Sequence, residues 1–139
     1  MVTSTIAGFL DKEMKEPPFH RWLRPRVVEI HQDGVTISIA FRPELAHSEN
    51  PGFFHGGVLM AAADIAGHAA IAAAQGDKAP TVNLSIEFLR PAPVGELIVN
   101  AIVRKIGHTL SRADIEILTQ EKLVAIARGN FASLRKNSP

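Results

Sequence analysis

The chain has 139 residues, with 15 Lys and Arg against 14 Asp and Glu, a formal charge of +1. Apolar residues at 46% and charged residues at 21% exclude a disordered chain. At roughly 150 residues per domain, the length predicts a single domain over 1–139, with 1–20 as an N-terminal helical extension. Without a clustered basic excess, nothing in the charge points to a nucleic-acid partner. The lack of cysteine excludes disulfides, zinc–thiolate sites and a cysteine nucleophile.

From Thr3 to Glu16, Ile6, Phe9, Leu10 and Met14 recur near helical spacing and predict an amphipathic helix closed by Pro17-Pro18. Val27-Val28-Glu29-Ile30 reads as a strand. Asp33-Gly34, which tolerates positive φ at both positions, predicts a two-residue hairpin. Val35, Ile37, Ile39 and Phe41 then alternate with Thr36, Ser38, Ala40 and Arg42, the pattern of a strand with one buried face. Residues 43–55 carry Pro43, Asn50-Pro51 and Gly52 in quick succession and predict a loop.

Gly56-Gly57 opens a helix running to about Gln75, with Gly76 as its stop. Nine of the seventeen residues 58–74 are alanine, and apolar side chains fall on nearly every face, as in an enclosed helix. Asp64 and His68 interrupt this stretch, which falls short of the 18 or more uncharged apolar residues of a membrane span. The N-terminus lacks the positive n-region of a signal peptide. The expectation is a cytoplasmic protein with no membrane partner. Beyond the helix, Val82, Leu84, Ile86 and Phe88 alternate with Thr81, Asn83, Ser85 and Glu87, and the runs 96–106, 109–119 and 122–134 meet at Gly107-His108 and Gln120-Glu121. The predicted fold is α+β: one long buried helix, two strands before it and four after, in a curved antiparallel sheet.

Serine-hydrolase, P-loop and dinucleotide-binding motifs are all missing. What remains is Asn50-Pro51-Gly52-Phe53-Phe54-His55-Gly56-Gly57 and the aspartate beyond it. Asp64 lies eight residues past Gly56, about 12 Å along a helix, too deep to be a cap. Its neighbours one turn away are Met60, Ala61, Gly67 and His68, so no lysine or arginine pairs with it locally. It is either part of a narrow solvated stripe with His68 and Gln75, or a carboxylate held in an apolar site as base or nucleophile. Gly56-Gly57 either merely starts the helix or offers free backbone N–H groups to a developing oxyanion. A metal held by His55, Asp64 and His68 is not expected, since His55 lies on the order of 13 Å from Asp64 along the helix.

His55-Gly56-Gly57, Asp64 nine residues after that histidine, the strand Thr81 to Phe88 with Leu89-Arg90-Pro91-Ala92, and Gly107-His108-Thr109-Leu110 together resemble the hotdog-fold acyl-CoA thioesterases, most closely the PaaI-type branch of phenylacetate degradation. The resemblance covers about residues 27–134. It implies hydrolysis of an acyl-CoA, aryl or medium-chain, to a free acid and coenzyme A, with no cofactor or metal. Asp64 matches the catalytic carboxylate, as nucleophile or as base on water, and Gly56 the glycine whose N–H polarises the carbonyl. By the same resemblance His55 orients the loop or the leaving group, and Thr81 stands where a relative has a water-positioning serine. Gly57, Arg90, Gly107 and His108 fall at substrate-binding positions. The resemblance also implies a homodimer, usually paired into a homotetramer, with Asp64 of one chain facing the His55-Gly56 loop of the other. Asn50 precedes the histidine by five residues where the family has an asparagine at six, so either the loop is one residue shorter or that role is lost. His108 stands where the family tends to place a basic residue. Two rivals stay open: a hydroxyacyl-thioester dehydratase or hydratase using His47 or His68, and a non-catalytic acyl-CoA-binding protein.

Overall fold

The computed structural model describes residues 4–50 and 52–133. Helix α1, Ser4–Lys15, buries Leu10 and Met14; Thr3, where the sequence pattern starts it, lies outside the described residues. The proline pair ends α1 but starts a second helix, α2, Pro18–Leu23. Proline suits a first helical turn, where its missing N–H would have no intrahelical acceptor anyway.

Strands β1, Arg26–His31, and β2, Gly34–Ala40, form the first hairpin. His31 pairs with Gly34, so the two-residue turn is Gln32-Asp33, one position earlier than the Asp-Gly signal suggested. Neither Asp33 nor Gly34 has positive φ. Gly34 is needed for a different reason: a Cβ there would lie 2.0 Å from the Ala101 carbonyl oxygen of the neighbouring strand. The expected loop 43–55 also holds structure. After a 3-10 turn, Pro43–Leu45, strands β3, Ala46–Glu49, and β4, Gly52–Phe54, pair in a small ladder of their own.

Helix α3, Gly56–Gln75, ends where Gly76 turns left-handed at φ 77°. Strands β5, Thr81–Phe88, β6, Glu96–Lys105, β7, Leu110–Thr119, and β8, Lys122–Ala132, complete an antiparallel sheet in the order β1-β2-β6-β7-β8-β5. The β7–β8 turn is Gln120-Glu121, both at positive φ (52° and 63°) without a glycine. The helix lies along one face of this sheet, against β2, β6, β7, β8 and β5. This is the hotdog arrangement. By length and composition α3 could cross a bilayer, but eleven of its residues, Val58 to Ala72, are buried.

Alanine and glycine on α3 let the helix approach the sheet closely. Phe131 of β8, fully buried, fills the space over two glycines: a Cβ on Gly67 would lie 2.5 Å from its ring, and one on Gly129 2.6 Å. The opposite face of the sheet is largely polar. There Asp114 receives hydrogen bonds from Arg104 (2.9 Å) and Arg128 (3.1 Å) beside a hollow of about 330 Å3. Burial pushes the Asp114 carboxyl up, but the bonds from Arg104 and Arg128 and their charges outweigh it and hold it below the usual carboxylate range.

Candidate active site

The helix-side chemistry gathers at the two ends of β5. At its first residue, the Thr81 hydroxyl donates to Asp64 Oδ1 at 2.5 Å. Strict alternation would turn Thr81 to the same face as Asn83, Ser85 and Glu87, away from α3. A β-bulge between Thr81 and Asn83, with Thr81 opposite Phe131 and Asn83 opposite Asn130, re-aims the hydroxyl onto the helix. Asp64 is half-buried and has no ion-pair partner among the described residues. It is thus partly shielded from solvent and not neutralised by an arginine among the described residues.

Asp64 and Thr81 line a cavity of about 280 Å3 together with Glu13, Pro17, His20, Ile65, His68 and Pro80. From the sequence, His20 reads as a surface or structural residue, and Glu13 carries no signal of a role. His68 is fixed from both sides: Nδ1 lies 2.9 Å from the Ala79 carbonyl oxygen and Nε2 3.0 Å from Glu13 Oε1. The Glu13 and His68 side chains are only 15% and 21% exposed. The four-residue spacing of Asp64 and His68 was a visible signal for a shared wall, but the carboxylate closing it comes from α1, over fifty residues earlier.

The other end of β5 carries the opening of α3. His55 is the helix N-cap, and its Nδ1 accepts the Gly57 N–H at 2.8 Å. Val58 N–H bonds to the His55 carbonyl at 2.9 Å. Gly56 N–H is left without an acceptor among the described residues, at the positive end of the helix dipole. Phe88 covers this glycine, at 3.5 Å from where a Cβ would stand. That is ordinary contact, so packing within the chain does not require glycine here.

The remaining expected site residues are more scattered. Asn50 sits in the exposed turn between β3 and β4, and Arg90 is exposed just beyond β5. His108 is exposed in the β6–β7 turn. Gly107 has a structural explanation, since a Cβ there would meet the Leu110 carbonyl oxygen at 2.0 Å. His47 lies beside His55, the rings tilted by 41° with centres 5.9 Å apart.

Residues 51–126, more than half of the chain, match the family model described as the Thioesterase superfamily. The chain belongs to that family. This thioesterase is similar to a Halobacterium salinarum protein provisionally named an esterase, 31% identical over 121 residues (78% of this chain and 80% of that one). It is also similar to acyl-coenzyme A thioesterase 13 of Mus musculus, 25% identical over 130 residues and 92% of each chain. Among solved structures, a thioesterase-superfamily protein superposes with a TM-score of 0.87 at 28% identity, over 94% of this chain and 98% of that one. The Escherichia coli PaaI protein of the phenylacetic acid degradation operon superposes with a TM-score of 0.85 at 24% identity, over 96% of each. Family membership makes the thioesterase a thioester hydrolase of the hotdog fold.

Proposed function

We propose that this thioesterase hydrolyses an acyl-CoA to a free acid and coenzyme A, using Asp64 of one subunit and the Gly56 amide of another. The observation that carries the reading is the unpaired, half-buried Asp64 with the Thr81 hydroxyl on one of its oxygens. A carboxylate in that state has a second oxygen free to take a proton from water, or to attack the carbonyl itself. The free Gly56 N–H supplies the matching half, a fixed donor for the oxygen that gains charge in the transition state.

Within one chain these halves are eight helical residues apart, about 12 Å, too far to act on one carbonyl. The edge strand supplies the link. β5 pairs with β8 on one side only, and Val82 and Phe88 on it are 56% and 52% exposed. An uncovered edge of this kind is a template for another strand. Two copies of β5 pairing antiparallel about a twofold axis set the Thr81 end of one against the Phe88 end of the other. Asp64 then faces Gly56 of the partner subunit, with Arg90 of the partner subunit nearby.

A hydratase using His68 would need that histidine directed at the substrate, whereas both its ring nitrogens are already engaged by the Ala79 carbonyl and Glu13. The test is free-thiol release from an acyl-CoA panel by wild type and Asp64→Asn. The expected loss is on the order of 10²-fold or more in kcat, as for removal of a positioned base. A variant within a few-fold of wild type removes Asp64 from the mechanism. Single turnover in 18O-water tests for the nucleophilic role: label in the Asp64 carboxylate requires an acyl-aspartyl anhydride opened at the aspartyl carbonyl.

A further inference from the structure

The cavity beside Asp64 has a wall that the thioesterase core does not supply. Glu13 comes from the end of α1, Pro17 from the α1–α2 junction and His20 from α2, while Asp64, His68 and Thr81 come from α3 and β5. Two bonds hold this wall in place. His20 Nδ1 lies 2.9 Å from the Glu13 carbonyl oxygen, which can only accept, so the ring donates there and ties α2 to α1. Glu13 Oε1 in turn meets His68 Nε2 at 3.0 Å, with Lys78 Nζ 3.9 Å from the other oxygen. The arm is thereby clasped to α3 one helical turn from Asp64.

The chamber's contents follow from its size and charge. An apolar cavity of about 150 Å3 holds one benzene. By that measure the cleft of about 280 Å3, open to solvent on one side, shelters a group on the order of ten heavy atoms. Coenzyme A is several times larger, and its phosphates would meet the carboxylates of Glu13 and Asp64. The moiety that fits is the acyl group, and a long alkyl tail would have to lie against the second Asp64 oxygen and His20 Nε2, which have no partner among the described residues.

We propose that α1 and α2 form the far wall of the acyl pocket, that the Glu13–His68 clasp holds this wall over Asp64, and that His20 is a specificity-determining residue limiting the acyl group to compact ones. This rests on Asp64 being the catalytic carboxylate. The experiment compares kcat/KM for butanoyl-, phenylacetyl- and palmitoyl-CoA in wild type, Glu13→Ala and His20→Trp. Wild type discriminates against palmitoyl-CoA. Glu13→Ala unfastens the wall and raises the palmitoyl-to-butanoyl ratio at least about tenfold, the scale of lost hydrogen-bonded anchoring. His20→Trp fills the chamber and lowers the phenylacetyl-to-butanoyl ratio.

Opposite movements of the two ratios are not produced by simple destabilisation, and either variant tests the wall if the other does not fold. Unchanged ratios in a folded variant, or wild type cleaving palmitoyl-CoA as readily as butanoyl-CoA, overturn the proposal. Butanoyl-CoA hydrolysis that Asp64→Asn abolishes checks the underlying reading separately. If that control shows no dependence on Asp64, the reading falls and the wall with it. If it holds and the ratios stay fixed, the wall alone falls.

Discussion

Adding one methyl group at Gly67 tests how tightly the helix must sit for the site to form. In Gly67→Ala the new Cβ would stand 2.5 Å from one ring atom of Phe131 and 3.1 Å from another, both far inside van der Waals contact. Phe131 has little room to yield, because it is fully buried and the same ring edge also fills the space beside Gly129. Relief must come from lifting α3 off the sheet, and overpacking of this kind typically costs about 1–3 kcal/mol. For a chain of this length that lowers Tm by roughly 3–12 °C. The displacement also falls where it matters. Gly67 is less than one turn from Asp64, and Phe131 pairs across the sheet with Thr81, so the 2.5 Å hydrogen bond between Thr81 and Asp64 opens as the helix rises. Gly67→Ala is therefore expected to lose kcat as well as stability. Thermal denaturation and thiol release measured on Gly67→Ala, Phe131→Leu and the double variant complete the test. The double variant should be more stable than the two single losses predict, by about 1 kcal/mol or more. Strict additivity, or full activity in Gly67→Ala, would refute the claim that this contact sets the helix position.

Gly56→Ala should fold normally, since its methyl group meets Phe88 at only 3.5 Å. Its kcat should fall more than KM changes, because the backbone donor serves the transition state; steady-state kinetics decide, and an effect confined to KM would mark a simple binding loop. Lysines at Val82 and Ser85 together, on the bare edge of β5, should shift the species to monomer in light scattering and abolish thiol release while circular dichroism keeps the native spectrum. A fully active monomer would sink the shared site. For Asp114, a lowered folded-state pKa means its stabilisation is fully present above the unfolded carboxylate value near about pH 4 and disappears as pH falls through the lower folded value. Denaturant midpoints of wild type and Asp114→Asn should therefore differ at neutral pH and converge in acid; a gap that widens in acid would contradict the sign.

Most of the sheet and the central helix were legible because single residues enforce them. Alternation through Val35, Ile37 and Ile39 could bury only one face, and an alanine-rich run with apolar residues all round had to be enclosed. The departures arise where tertiary contacts decide. Gly34 looked like a turn residue but is demanded by the neighbouring strand. Pro18 looked like a terminator and became a helix start. In the candidate site, Asp64 stood out through its misfit in an apolar helix, and the resemblance to known thioesterases named Thr81. Its orientation was not readable, because the bulge that turns it inward leaves no mark on a period-two pattern. The Glu13–His68 clasp was hidden for a related reason: it joins residues 55 positions apart, and no local spacing encodes such a pairing.

The place of β5 in the sheet also dictates an order of assembly. It follows α3 in the chain, yet its hydrogen-bonding partner is β8, the last strand, while β6, β7 and β8 form a local meander. Local pairings close first, and distant ones wait on loop closure. On the ribosome, the segment bearing Thr81 can meet α3 but has no strand to pair with until Lys122 to Ala132 has followed it. The nascent polypeptide thus passes through its synthesis with the proposed site incomplete, and its sheet closes only as the final strand zips into place.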